Sequence, residues 1–220
     1  MFRHLRSIDR QTKDLIAERE IVERFVSSSA ANIVLVIVMS TLGRGIDLER
    51  PATIIAPALI SVTSLIRFIL SARIKNPNVE LDRDAFRWLE AVTLFAGLLW
   101  GIFVAVSLTE DPDLDFYDIV TVIGICMITV TSCTQLSAKP GLARAFAASA
   151  LLPSILSLAV SEGDHFRALA CLLAAFLFFL WTQIAIQYRQ FDYARRAMWQ
   201  INRLNQYDPE EVPKSERRSS

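Results

Sequence analysis

Neither sign of charge is in excess in this chain: Lys+Arg and Asp+Glu both number 23, a formal net charge of zero. Without a basic face to neutralise phosphates, nucleic-acid binding is excluded as its main role. Histidine and cysteine are scarce as well, at two and three residues. Cys126, Cys133 and Cys171 fall inside apolar runs, where neither an extracellular disulfide framework nor a zinc site with paired-cysteine spacing can be drawn, so they read as small packing residues. The few glycines form no phosphate-binding loop, and no serine elbow, metal triad or kinase signature occurs. The sequence therefore assigns no catalytic residue, no metal and no cofactor. Any enzymatic activity tied to the chain would belong to a missing domain or a partner.

Long apolar runs are what it has instead. Residues 25–42, 52–72, 86–108, 116–138, 141–160 and 166–186 each span roughly twenty positions, enough at about 1.5 Å rise per residue to cross roughly 30 Å of hydrocarbon. Lipid cannot hydrogen-bond an open backbone, so all six are predicted to be helices, and the lipid bilayer is the chain's first partner. Threaded alternately, they leave only Arg44, Arg50 and Arg167 on one side and Arg67 inside the second run, while the rest of the 23 basic residues fall on the other side. The positive-inside rule then puts both termini in the cytoplasm. The predicted fold class is all-α: a polytopic membrane protein, a six-transmembrane-helix bundle with N-in and C-in topology. The first run follows a charged segment without a convincing small-residue cleavage site, and is expected to be a retained anchor.

Four units follow. Residues 1–24 form a cytoplasmic segment in which 7–24, with Ile8, Leu15, Ile16, Ile21 and Val22 and no Pro or Gly, predict a helix leading into the first span. Residues 25–186 are the membrane domain. Its loop at 109–115 carries Glu110, Asp111, Asp113 and Asp115 with no base, an acidic external lip that reads as a solvated loop or as a lure for cations. Lys139-Pro140 alone joins the fourth and fifth runs, which forces an antiparallel hairpin. No Pro or Gly interrupts 166–208, so the sixth helix is predicted to continue into the cytoplasm as a signalling helix over 187–208. There Phe191, Ala194, Met198, Ile201 and Asn205 are spaced by three and four, about two heptads of a coiled-coil seam, of which Phe191, Ala194, Met198 and Ile201 are the seam residues of an expected homodimer. Residues 209–220, charged and ending in serines, predict a disordered tail.

Polar groups inside the runs are the candidate site residues. Arg67 and Glu90 fall at similar depth, where an unpaired charge costs about 2.5–3.5 kcal/mol. Two readings stand: a structural ion pair between them, or an Arg67 that snorkels alone to the headgroups. Thr129, Thr131, Ser132, Thr134 and Gln135 crowd one half of the fourth run, either as hydrogen-bonding glue between helices or as the wall of a hydrophilic pocket. With them Trp100, Asp118 and Gln183 are the signal-pocket candidates. Trp88, Trp100 and Trp181 read as packing and interface anchors, with an aromatic ligand pocket as the alternative. A haem cradle is the other alternative, but His4 and His165 belong to opposite faces, so two histidines cannot ligate one haem within the bundle.

Phe95-Ala96-Gly97-Leu98-Leu99-Trp100-Gly101 resembles the third span of the six-helix amino-terminal sensor regions of bacterial diguanylate cyclases (GGDEF proteins) and some sensor histidine kinases. Arg67 at the end of the second span, Leu151-Leu152-Pro153 within the fifth and Gly163-Asp164-His165 at the start of the sixth fall in line with it. The resemblance extends from about Phe25 to Gln206. It implies a bacterial inner membrane location, a dimer and a cytoplasmic signalling effector. In that family a cyclase domain opens after the exit helix with a Leu-Thr-Gly-Leu run, whereas here Tyr207-Asp208-Pro209 leads to Glu210-Glu211-Val212, so the expectation is either a sensor half separated from its output domain or a naturally short chain that signals through a partner. The function expected is a sensory or signal-transducing module that relays a stimulus through its last helix. The alternatives are a small transporter or channel, lined by Asp118, Gln135 or Gln183, and a membrane scaffold whose tails bind a partner.

Overall fold

The computed structural model describes residues 21–22, 34, 37, 51–75, 83–109 and 116–205. The expected first span (apart from Val34 and Ile37), the leading helix (apart from Ile21 and Val22), the acidic lip at 110–115 and the tail lie outside these residues. The described chain is all-helical: α1 (Pro51–Lys75), α2 (Arg83–Thr109), α3 (Phe116–Gln135), α4 (Pro140–Val160) and α5 (Asp164–Asn205). All five are long and apolar enough to cross a membrane, and they answer to the second through sixth apolar runs.

Proline sets several boundaries. Pro51 opens α1 and Pro140 opens α4, where the missing N–H costs nothing because the first turn has no acceptor for it. Pro140 also ends α3 at Gln135, short of the end of its apolar run at Ala138. The residue before a proline is driven out of the helical region, and Lys139 sits at φ −122° and ψ 86°. The chain turns there through Ser137 N–H to Thr134 O at 3.3 Å and Lys139 N–H to Leu136 O at 2.8 Å. At the other end of α4, Gly163 takes φ 122°, a conformation closed to most side chains, and α5 begins immediately after.

Short connections make neighbouring helices antiparallel, so one end of the bundle holds Lys75, Arg83 and Lys139 and the other holds Glu162 and Asp164. We call these the basic end and the acidic end. α2 touches α1, α3 and α4; α4 touches α2, α3 and α5; α5 also reaches α3. α2 and α4 therefore run parallel and form the centre. Large apolar side chains such as Leu59, Val62 and Ile69 of α1 and Ile119, Ile123 and Met127 of α3 point outward, as lipid-facing residues do.

Small residues set the central seam. Gly97 and Gly101 stand four apart on one face of α2, and a methyl group built on Gly101 would lie 2.6 Å from the Ala150 carbonyl oxygen and 2.9 Å from that of Ser149. α4 answers with Ala143, Ala147, Ala150 and Ser154, all buried. This is a Gly-x-x-x-Gly contact, in which backbones approach closely because no hydrophobic force separates protein from lipid tails and packing must supply the association. Pro153, also against Gly101, offers no N–H to the Ser149 carbonyl one turn back. Beside it the Ser154 hydroxyl donates to the Gly101 carbonyl at 3.0 Å, a hydrogen bond between the two helices.

Candidate functional site

The candidate residues gather at the basic end, with two exceptions. α1 presents Thr63, Ser64, Arg67 and Ser71, all buried, on the face turned from lipid. Arg67 is 1% exposed, so it does not snorkel. Counting back from Lys75 and forward from Arg83 at about 1.5 Å per residue brings Arg67 to within a turn of the depth of Glu90.

Glu90, however, is held by Lys139: Nζ donates to Oε1 at 3.0 Å. The carboxylate expected to meet Arg67 is thus engaged by Lys139. The α3–α4 turn that Pro140 enforces brings Lys139 against the first turns of α2, where its ammonium also lies 4.1 Å from the centre of the Phe86 ring. Phe86 is itself buried, so the lysine stem is laid over apolar surface while its charge meets the carboxylate. Both side chains are about a quarter exposed, at 26% and 30%, which leaves the pair more valuable than a surface one and less costly than a fully buried one. We expect Glu90→Lys or Lys139→Glu alone to cost about 1–2 kcal/mol by placing like charges together. The double reversal should recover most of that loss in a thermal unfolding series, and a double variant as unstable as the sum of the two singles would refute the clasp.

Three hydroxyls of α3 bond within their own helix. Thr129, Thr131 and Thr134 donate to the carbonyls of Ile125, Met127 and Val130 at 2.7, 2.8 and 2.9 Å, one turn back on the same helix. That is how a threonine is carried in apolar surroundings, and it explains why Thr131 and Thr134 face outward without penalty. Of this cluster, Ser132 and Thr129 are buried, and Gln135, the last residue of α3, keeps its carbonyl oxygen buried without a hydrogen bond.

The four signal-pocket candidates do not converge. Asp118 and Gln135 stand at opposite ends of α3, about 25 Å apart at roughly 1.5 Å per residue. Trp100 is buried in the central seam, edge-on to Phe103 at 6.0 Å, in the half nearer the acidic end. Gln183 is on α5 at the basic end, at the level where α4 begins. One pocket cannot include all of them, because a residue's depth follows from its count along an antiparallel helix, and these counts differ. Trp88 and Trp181 both point outward, at 67% and 44% exposure, where interface anchors stand.

α5 continues as one helix to Asn205. Phe191 packs against the bundle's own core rather than lying open as a dimer-seam residue, because the inward stripe of α5 runs on past Ile184. Ala194 is exposed; the side chains of Met198 and Ile201 lie outside the described residues. Beyond Phe191, Asp192 pairs with Arg196 one turn on.

Sequence reading missed three features. The Lys139–Glu90 clasp depends on turn geometry that spacing alone does not give. The Gly97-x-x-x-Gly101 seam had a signal in the spacing itself, and Gln187, an amide in the apolar stripe of α5, was visible as a break in that stripe. Among the described residues no group of His, Cys, Asp or Glu stands together as metal ligands would. No family model, curated protein or solved structure matches this chain.

Proposed function

We propose that this chain is a membrane-embedded signal-transducing module of the bacterial inner membrane. In this reading it has six spans, both termini on the cytoplasmic side, and α5 as the element that carries a change in the bundle to a cytoplasmic effector of the diguanylate cyclase or histidine kinase kind. One observation supports it above the others. α5 has 42 residues, about 63 Å at 1.5 Å per residue, roughly twice what the hydrocarbon requires. A single-span anchor has no use for the surplus, whereas a relay does, because a continuous helix passes a rotation or a shift of register from one end to the other.

In this reading a dimer would pair through the projecting part of α5, on the face that includes the exposed Ala194 and not Phe191, which packs on the core. A chain lacking Cys126, Cys133 and Cys171 and carrying Ala194→Cys, oxidised in native membranes, should give a disulfide-linked dimer as its main product. Exclusively monomeric chain across a range of expression levels would remove the basis for relay through a paired helix.

A further inference from the structure

Among the described residues, two side-chain carbonyl oxygens that are buried without a hydrogen bond sit at the basic end, where the long helix leaves the bundle. Gln135 Oε1 closes α3, and Gln187 Oε1 belongs to α5. The two helices touch. Counting along the α4–α5 hairpin sets Pro140 level with Ile184, so Gln187 and Gln135 both lie within about one turn, or roughly 5 Å, of the start of α4.

The surroundings of Gln187 are otherwise apolar and continuous. The inward stripe of α5 runs through Leu173, Leu177, Leu180 and Ile184 to Gln187 and then Phe191, packed on the core at every step except the amide. An apolar side chain at 187 would complete that stripe. A polar group at one position of a packed helical seam lowers stability and selects among registers, because it is content only where it finds a partner. Here the carbonyl finds none, and neither does the one at the end of the facing helix.

We propose that Gln135 and Gln187 form a polar latch for α5. The inner part of α5 has two seats on α3: the one described here, with both amide carbonyls buried and unbonded, and a second, reached by a small shear or rotation, in which the two amides bond each other. Each seat satisfies what the other does not. The present seat packs Ile184 and Phe191; the second satisfies the amides. A balance of that kind is what a relay helix needs, since a modest stimulus can then tip it. The latch rests on the relay reading for its purpose but not for its existence.

Amide hydrogen exchange of the full chain in nanodiscs of phosphatidylcholine and phosphatidylglycerol tests it. Gln187→Leu completes the stripe and abolishes the second seat, so exchange across the basic half of α5 should slow by about tenfold while the rest of the bundle is unchanged. Gln135→Leu should slow the same amides, and the double variant should add little to either single, because the alternative seat needs both residues. Unchanged or faster exchange in both singles, or fully additive effects, would overturn the latch. If the exchange results hold but Ala194→Cys gives no dimer, the relay reading fails and the latch stands.

Discussion

Leucine in place of Gly101 is expected to take the bundle apart at its centre. The first atom added, Cβ, would lie 2.6 Å from one α4 carbonyl oxygen, 2.9 Å from a second and 2.9 Å from the Pro153 ring. Two of these neighbours are backbone and the third is a ring fixed to backbone, so no side-chain rotation relieves the contact and α2 and α4 must separate. Separation also breaks the Ser154–Gly101 hydrogen bond. Overpacking usually costs about 1–3 kcal/mol, and a clash with backbone belongs at or above the top of that range. Gly97→Leu should cost less, because its nearest neighbours are the Ser149 hydroxyl at 2.6 Å and the Phe146 ring at 3.1 Å, both parts of side chains with some freedom to turn. Gly141→Leu should be neutral, since nothing lies within 4 Å of its added methyl. Unfolding in a detergent series should therefore rank the three variants with Gly101 worst and Gly141 unaffected. Equal losses at Gly101 and Gly141 would mean that the seam is not where the bundle is held.

That ranking also shows what a sequence discloses in such a protein and what it withholds. Five of the six runs expected from hydropathy correspond to helices because the requirement is one-dimensional: a stretch of apolar residues must satisfy its own backbone in lipid. Boundaries were legible where proline stands, at Pro51 and Pro140. Partnerships were not. Arg67 and Glu90 were matched by depth, which the helix count gives correctly, but the residue that reaches Glu90 comes from a turn whose direction Pro140 sets. The four pocket candidates lie at different levels for a related reason. Trp100, Asp118, Gln135 and Gln183 share polarity or aromaticity, and such character says nothing about which level of the membrane each occupies. Phe191 was assigned to a dimer seam on spacing alone, and spacing cannot tell a stripe that faces a second copy from one that faces its own core.

Proline at position 189 is expected to sever what lies beyond the bundle from what lies within it. Arg189 is exposed and its side chain contributes nothing to the core, so the substitution acts on backbone alone. A proline in a helix interior removes one hydrogen bond and drives its ring against the carbonyl of the residue four back, Ala185, at a cost of about 3 kcal/mol or more. The helix relieves that cost by kinking or fraying just past Gln187. Phe191 then swings off the core, and Ala194 loses its orientation with it, because direction is preserved along a helix only while its hydrogen-bond ladder is continuous. In the Ala194→Cys background the yield of crosslinked dimer should fall by at least about tenfold, the change that ~1.4 kcal/mol produces in an equilibrium and well within the strain imposed. Arg189→Ala, which keeps the backbone donor, should leave the yield intact. Heat stability should barely change in Arg189→Ala and should fall in Arg189→Pro only by what Phe191 loses in leaving the core, since the α2–α4 seam is untouched. Were Arg189→Pro to crosslink as well as its parent, the far part of α5 would be finding its mate independently of the bundle, and a helix that does so has nothing to relay.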